Sequence, residues 1–433
     1  SKPDATASFG SFTMSRTPQR ARRWKLALGL IAAATLALVL LVTSSQPWVA
    51  ESRHASAEQV AAARALANEA RKSRESREPV AIEVDAAELE AISAMVTQGF
   101  APNRFEAAVK DGELTLTGSR PFLFRWINIR AEASGKSTGI PEFAVRIGAV
   151  PLPRWLSDWA LARIQQRMAD QGGTLPPVDT IVRSMTIGED GLTARVLVPQ
   201  GSLLAHARAT GTPPIDEDAV AAVYCRLARA DEAQPEPLLA RQLGRALAAT
   251  EPTSEGHGAA LVALALFTAG PEARELAGDR VALGDCSGPP ARLTLQGRED
   301  WAKHWALSAA LETAAGSRIS TAIGEWKELA DTLAKGPLLA PRDPSGFSFV
   351  DLAADRSGIM TAQALLDPAR LESARARLLR ASEADLLPAA TLELSDGLTD
   401  AQFARRFGAT DDPRFAEKVK QIDAMLRQGG IGK

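Results

Sequence analysis

A chain of 433 residues is long enough for two or three domains, each with a sizeable core. Its 50 Lys and Arg nearly cancel its 52 Asp and Glu, so no large positive field argues for nucleic acid as a partner. Ala and Leu dominate over scarce aromatics, which suits a mostly helical protein, and no Cys or His spacing matches a structural zinc site.

Residues 1–25 form a tail that turns basic at Arg16, Arg20, Arg22, Arg23 and Lys25. An apolar run follows, Leu26 to Val42, and with Thr43 to Ser45 it reaches the lower limit for a bilayer-spanning helix. The basic flank predicts a cytoplasmic N-terminus, and Trp24 and Trp48 bracket the run where indole rings favour the two interfaces. The expectation is a single-pass protein of the bacterial inner membrane, transmembrane over 26–45, with the bulk of the chain periplasmic. A cleaved signal peptide is the competing reading, although Trp48 would fall at the −3 position of a cut after Ala50. Met14 offers an internal start, with residues 1–13 an upstream extension.

Residues 46–79 read as a stalk, helical and charged over 56–78. Residues 80–200 read as a small α+β module with antiparallel hairpins. Asp85 and Glu88 form a capping-box signal for a helix to about Thr97. Phe105 to Thr117 alternates around Asp111-Gly112, a short hairpin signal. Strands are expected over Leu123–Ala133, Phe143–Ile147, Thr180–Ile187 and Leu192–Val198, with a helix from Arg154 to Ala169. Val145 to Leu156 weakly resembles a pattern of lipid-handling envelope domains with a curved sheet and a helix. Trp155 and Trp159, four apart, then form either a greasy lip for lipid or core packing against the sheet.

Residues 201–433 read as a larger all-α domain punctuated by proline. Gly258–Thr268 is apolar all round and is expected to be a central buried helix. Asp367-Pro368 looks like a helix start, with further helices near Thr399–Arg406 and Pro413–Arg427. Cys225 and Cys286 both lie in the expected external region, where an oxidising compartment lets them pair as a disulfide. Two unpaired buried thiols are the alternative.

Chemistry is hinted at in three stretches: Asp300 with His304, Glu325 with Glu328 and Asp331, and Asp351 with Asp355. At helical spacing each set shares a face, and ionisable groups inside Ala-rich helices are costly unless paired or bound. Three packed helices could aim His304, Glu325, Glu328, Asp351 and Asp355 at one point as a catalytic set. His304, Glu328, Asp331, Asp351 and Asp355 would likewise suit a divalent metal ion. The same residues serve equally as caps, as i, i+4 partners of Lys327 and Arg356, and as a buried polar network.

The order Asp300-x-x-x-His304, then Gly324-x-x-Lys327-Glu328-x-x-Asp331, then Ser348-x-x-Asp351-x-x-x-Asp355-x-x-Gly358 resembles the YfiM-type family of envelope lipoproteins, and more distantly the VanZ-like membrane family. Trp301 stands where those relatives carry Lys. The resemblance implies an envelope location and a shared polar cluster, and brings no reaction with it. No nucleophile elbow, phosphate loop, dinucleotide motif or HExxH pattern is present. The expectation is therefore a membrane-anchored envelope protein with a structural, assembly or interaction role, whose partners are other envelope proteins or lipid. A metal-dependent hydrolase of an envelope substrate and a periplasmic lipid binder are the alternatives.

Overall fold

The computed structural model describes residues 18–50, 66, 76, 78–99, 102–159, 163, 181–197, 215–277, 281–315, 346–408 and 412–432, with side chains along the first helix from Gly29 onward. The stalk expected over 56–78, the helix beyond Trp159, and Glu325, Glu328 and Asp331 lie outside the described residues, apart from a few isolated positions in the stalk.

Helix α1, Pro18–Val42, contains the apolar run and passes directly into a two-residue strand, β1, Thr43–Ser44. Among the described residues no helix is long and apolar enough to cross a membrane. That finding overturns the transmembrane helix expected over 26–45, and with it the single-pass inner-membrane placement. The apolar run ends with the helix at Val42, because Thr43–Ser44 turn to strand, and Leu26–Val42 alone rises roughly 26 Å, short of a hydrocarbon core of about 30 Å. Its last turn is bonded into protein instead of standing clear. The Leu41 carbonyl accepts the Ala149 N–H at 2.8 Å, and Arg125 donates to the Thr43 hydroxyl and carbonyl at 2.7 and 2.9 Å. Trp48 does not serve as an interface anchor either, because the Arg130 guanidinium lies 5.1 Å over its ring and its N–H donates to Ser119 and Asn128.

The α+β module is built from two antiparallel sheets. Its elements are β2, Val80–Asp85; α2, Ala86–Gly99; β3, Arg104–Lys110; β4, Glu113–Phe122; β5, Arg125–Ser134; β6, Lys136–Thr138; β7, Ala144–Ile147; β8, Val150–Pro151; β9, Val182–Ile187; and β10, Gly191–Val196. One sheet runs β3-β4-β5-β7-β8 with β1 added to β5, and the other runs β2-β10-β9-β6. Asp85 and Glu88 cap α2 reciprocally, at 2.9 and 2.8 Å. Asp111 and Gly112, both at positive φ, close the β3–β4 hairpin.

Strand β3 would leave an open edge, but α2 covers it. Thr97 Oγ1 bonds the Phe105 backbone and Ser93 Oγ accepts the Ala107 N–H, so two hydroxyls one helical turn apart stand in for a neighbouring strand. A small core of Leu89, Val109, Leu114, Ala133 and Ile187 joins the helix to both sheets. On the opposite sheet face, the fully buried Asn128 and Ser119 hold the segment from Ser44 to Val49 through its backbone. Trp155 and Trp159 are 69% and 61% exposed, so they do not pack into the core.

The helical domain comprises α3, Glu217–Ala233; α4, Leu239–Ala248; α5, Ser254–Ala269; α6, Glu299–Ala315; α7, Phe349–Leu366; α8, Leu371–Leu378; α9, Asp400–Phe407; and α10, Pro413–Gln428. Helix α5 is buried on every side from His257 to Ala269 and packs against α3, α4, α6 and α7. That all-round burial is what an all-apolar helix requires. Asp367-Pro368 does not start a helix. Asp367 ends α7 as its C-cap, and its carboxylate accepts the Ala369 N–H in the turn before α8. Cys225 in α3 and Cys286 are joined by a disulfide.

Candidate functional site

Helices α6 and α7 lie closer together than ordinary side chains allow, because α7 presents a glycine at the crossing. A Cβ added at Gly358 would stand 2.2 Å from the Trp305 carbonyl oxygen of α6. With the backbones that close, residues spaced at i, i+3, i+4 and i+7 on α6 (Trp301, His304, Trp305 and Ser308) face Asp351 and Asp355 on α7. Ser348 fixes the start of α7, its hydroxyl accepting the Asp351 N–H at 3.0 Å, so that Asp351 sits in the first turn, where the helix dipole favours a carboxylate.

His304 lies between the two carboxylates. Its Nε2 faces Asp351 Oδ2 at 3.3 Å and its Nδ1 faces Asp355 Oδ1 at 3.1 Å. Asp351 Oδ1 also accepts the Trp301 indole N–H at 3.0 Å, and Asp355 Oδ1 accepts the Ser308 hydroxyl at 2.7 Å. His304, Asp351 and Asp355 are 7%, 7% and 3% exposed. The imidazole thus faces a carboxylate oxygen at each of its ring nitrogens. Asp355 Oδ2 is buried and meets no donor among the described residues. One turn away, the Trp305 indole donates to Ser357 Oγ at 3.1 Å, and Ser357 passes the bond on to the Leu386 carbonyl.

Of the residues expected at the site, His304, Asp351 and Asp355 come together, while Glu325, Glu328 and Asp331 lie outside the described residues. Asp300 does not join them. It turns to Arg298, which also reaches Asp396 at 3.3 Å and stacks 4.7 Å over the Trp301 ring. Partial burial alone would raise the Asp300 carboxyl, but the Arg298 hydrogen bond and charge hold it below its ordinary value. Arg356 does not bond to the neighbouring aspartates of its own helix, because it forms a two-pronged pair with Asp423 of α10. Outside the cluster, His257 is fully buried in the first turn of α5, with Nδ1 2.9 Å from the Leu365 carbonyl, and burial pushes its imidazole below the usual value.

Sequence reasoning missed Trp301 as a partner of the acids, although it falls within one turn of His304 on the face that α7 covers; Ser308, four residues from His304, lies on that same face as its spacing requires. Among the described residues no group of three or more His, Cys, Asp or Glu side chains is arranged to hold a metal ion. Both His304 nitrogens are aimed at carboxylate oxygens, so their lone-pair directions are already taken. What the arrangement does chemically is join two helices through a charge-assisted, nearly water-free network.

No family model matches the chain, and neither a curated protein nor a solved structure matches it. The likeness to the YfiM-type family therefore rests on the spacing of the motif alone.

Proposed function

We propose that this chain is a non-catalytic assembly or interaction protein working in an oxidising compartment, the cell envelope being the one its motif resemblance suggests. The observation that carries this reading is the placement of His304. Its two nitrogens are spent on Asp351 and Asp355, all three groups are nearly inaccessible to water, and Trp301 and Ser308 fill two further acceptor positions. A general base or a metal ligand must instead point its free lone pair at a space that a substrate can enter. The disulfide between Cys225 and Cys286 supports the compartment, because such bonds persist where thiols are not kept reduced.

One observation favours the hydrolase reading: the unmatched Asp355 Oδ2, which could take a cation or a substrate proton. Inductively coupled plasma mass spectrometry on metal-replete full chain separates the two. The assembly reading predicts no stoichiometric divalent ion and a melting temperature unmoved by chelator. A stoichiometric ion that disappears in His304→Ala would overturn it.

A further inference from the structure

The two hairpin turns of the β3–β4–β5 meander are made from opposite materials. The β3–β4 turn is Asp111-Gly112, the polar, glycine-bearing pair that left-handed turn positions favour. The β4–β5 turn is Leu123-Phe124, set between the paired residues Phe122 and Arg125. Leu123 takes a φ of 55°, a conformation that disfavours a bulky side chain and needs a compensating reason. Leu123 and Phe124 are 84% and 87% exposed, the two most exposed large apolar side chains among the described residues. A strained turn that spends its tip on two solvent-facing apolar groups marks an interaction surface.

We propose that this hairpin tip docks on an anionic lipid surface, seating Leu123 and Phe124 among the headgroups and upper acyl chains. Charge complementarity selects the occupant. Gly118 to Ala131 carries Arg120, Arg125 and Arg130 and no Asp or Glu, so the strands behind the apolar tip are cationic, with Arg120 exposed, Arg125 bonded to Thr43 and Arg130 stacked over Trp48. Apolar anchor and cationic collar together are the combination that binds anionic interfaces. Continuity supports the same occupant. Strand β1 pairs Thr43 with Ile127 and Ser44 with Trp126, so the chain leaving α1 runs along β5 toward the hairpin tip. Leu36, Leu38, Leu40 and Leu41 of α1 are half or more exposed as α1 approaches that edge. The docking is lateral and shallow, and it needs no segment to cross the bilayer. Because the tip shares no residue with the His304 cluster, the inference stands or falls separately from the reading of His304.

The test attaches an environment-sensitive dye to Leu123→Cys in the full chain, with the native disulfide kept oxidised. The labelled protein is mixed with vesicles of phosphatidylglycerol and phosphatidylethanolamine, or of phosphatidylcholine alone. Brighter, blue-shifted emission is expected on the anionic vesicles, a weak response on the neutral ones, and none from a dye on Glu113→Cys at the other end of β4. Adding Phe124→Asp should lower the apparent partition by about tenfold. A silent dye at position 123 while the protein floats with the vesicles would overturn the proposal, since another segment would then be holding them. An emission change that follows protein concentration without vesicles would overturn it too, assigning the tip to a second copy of the chain.

Discussion

The helical domain conceals charge, whereas the α+β module exposes apolar groups. In the first, His304, Asp351, Asp355 and Arg356 are turned inward and matched against one another or against Asp423. In the second, Leu123, Phe124, Trp155 and Trp159 face solvent while Asn128 and Ser119 are buried beneath the segment at Ser44–Val49. The contrast teaches where to look for function. Buried ionic groups surrounded by partners hold a fold together, and unmatched apolar groups at a turn are surface left for something else.

Substitutions that sharpen this comparison should hurt stability in the helical domain and leave it nearly untouched in the module. The largest effect is expected for His304→Ala, which strands two buried carboxylates. A loss of about 3–5 kcal/mol, read from guanidinium unfolding, is the result expected for a broken buried pair. Removing the disulfide by the paired change Cys225→Ser and Cys286→Ser should cost about 2–4 kcal/mol, because the cysteines are 61 residues apart and the open chain gains loop entropy. Thermal unfolding with and without reductant checks it on the parent chain.

Gly358→Ala tests the backbone contact beneath the cluster. The added methyl meets a carbonyl oxygen of α6 and not a flexible side-chain end, so α7 must shift, at a cost of about 1–3 kcal/mol in a calorimetric scan. In the module, Leu123→Gly should stay within about 1 kcal/mol of the parent, on the stabilising side, since it relieves the positive φ and uncovers no core. A large loss there would break the comparison. The smallest effect concerns pH. His257 is held below its ordinary value of 6.5 by burial, so the unfolded ring binds a proton that the folded ring refuses. Its contribution is present at neutral pH and is lost as the pH falls below about 6.5 toward the lowered folded value, a slope that His257→Asn should flatten.

What could be read from sequence was what short-range chemistry decides. The Asp85/Glu88 box, the Asp111-Gly112 turn, the Thr399 cap of α9 and the Asp412-Pro413 start of α10 each depend on residues within one turn. Asp367-Pro368 misled because an aspartate that begins a turn and one that begins a helix share a side-chain bond, and only the direction of the chain separates them. The β4–β5 tip was misplaced, with the break expected between Thr117 and Leu123 and Leu123 put at the start of a strand, since Leu-Phe carries no turn signal. Arg356 could not be assigned from its own helix, because Asp423 is 67 residues away. At the candidate site, periodicity put His304, Asp351 and Asp355 on usable faces, but whether those faces opened to water or to each other depended on the Gly358 contact, a packing fact with no local signature.

The central claim is that His304 and its two acids form an internal tie and not a site held ready for a ligand. A double-mutant cycle of His304→Ala and Asp355→Ala, measured by denaturant unfolding, tests this most directly. The account predicts that both single variants are destabilised and that the pair couples by about 1–3 kcal/mol. Single variants as stable as the parent or more so, with coupling near zero, would contradict it and point to a site that sacrifices stability for function.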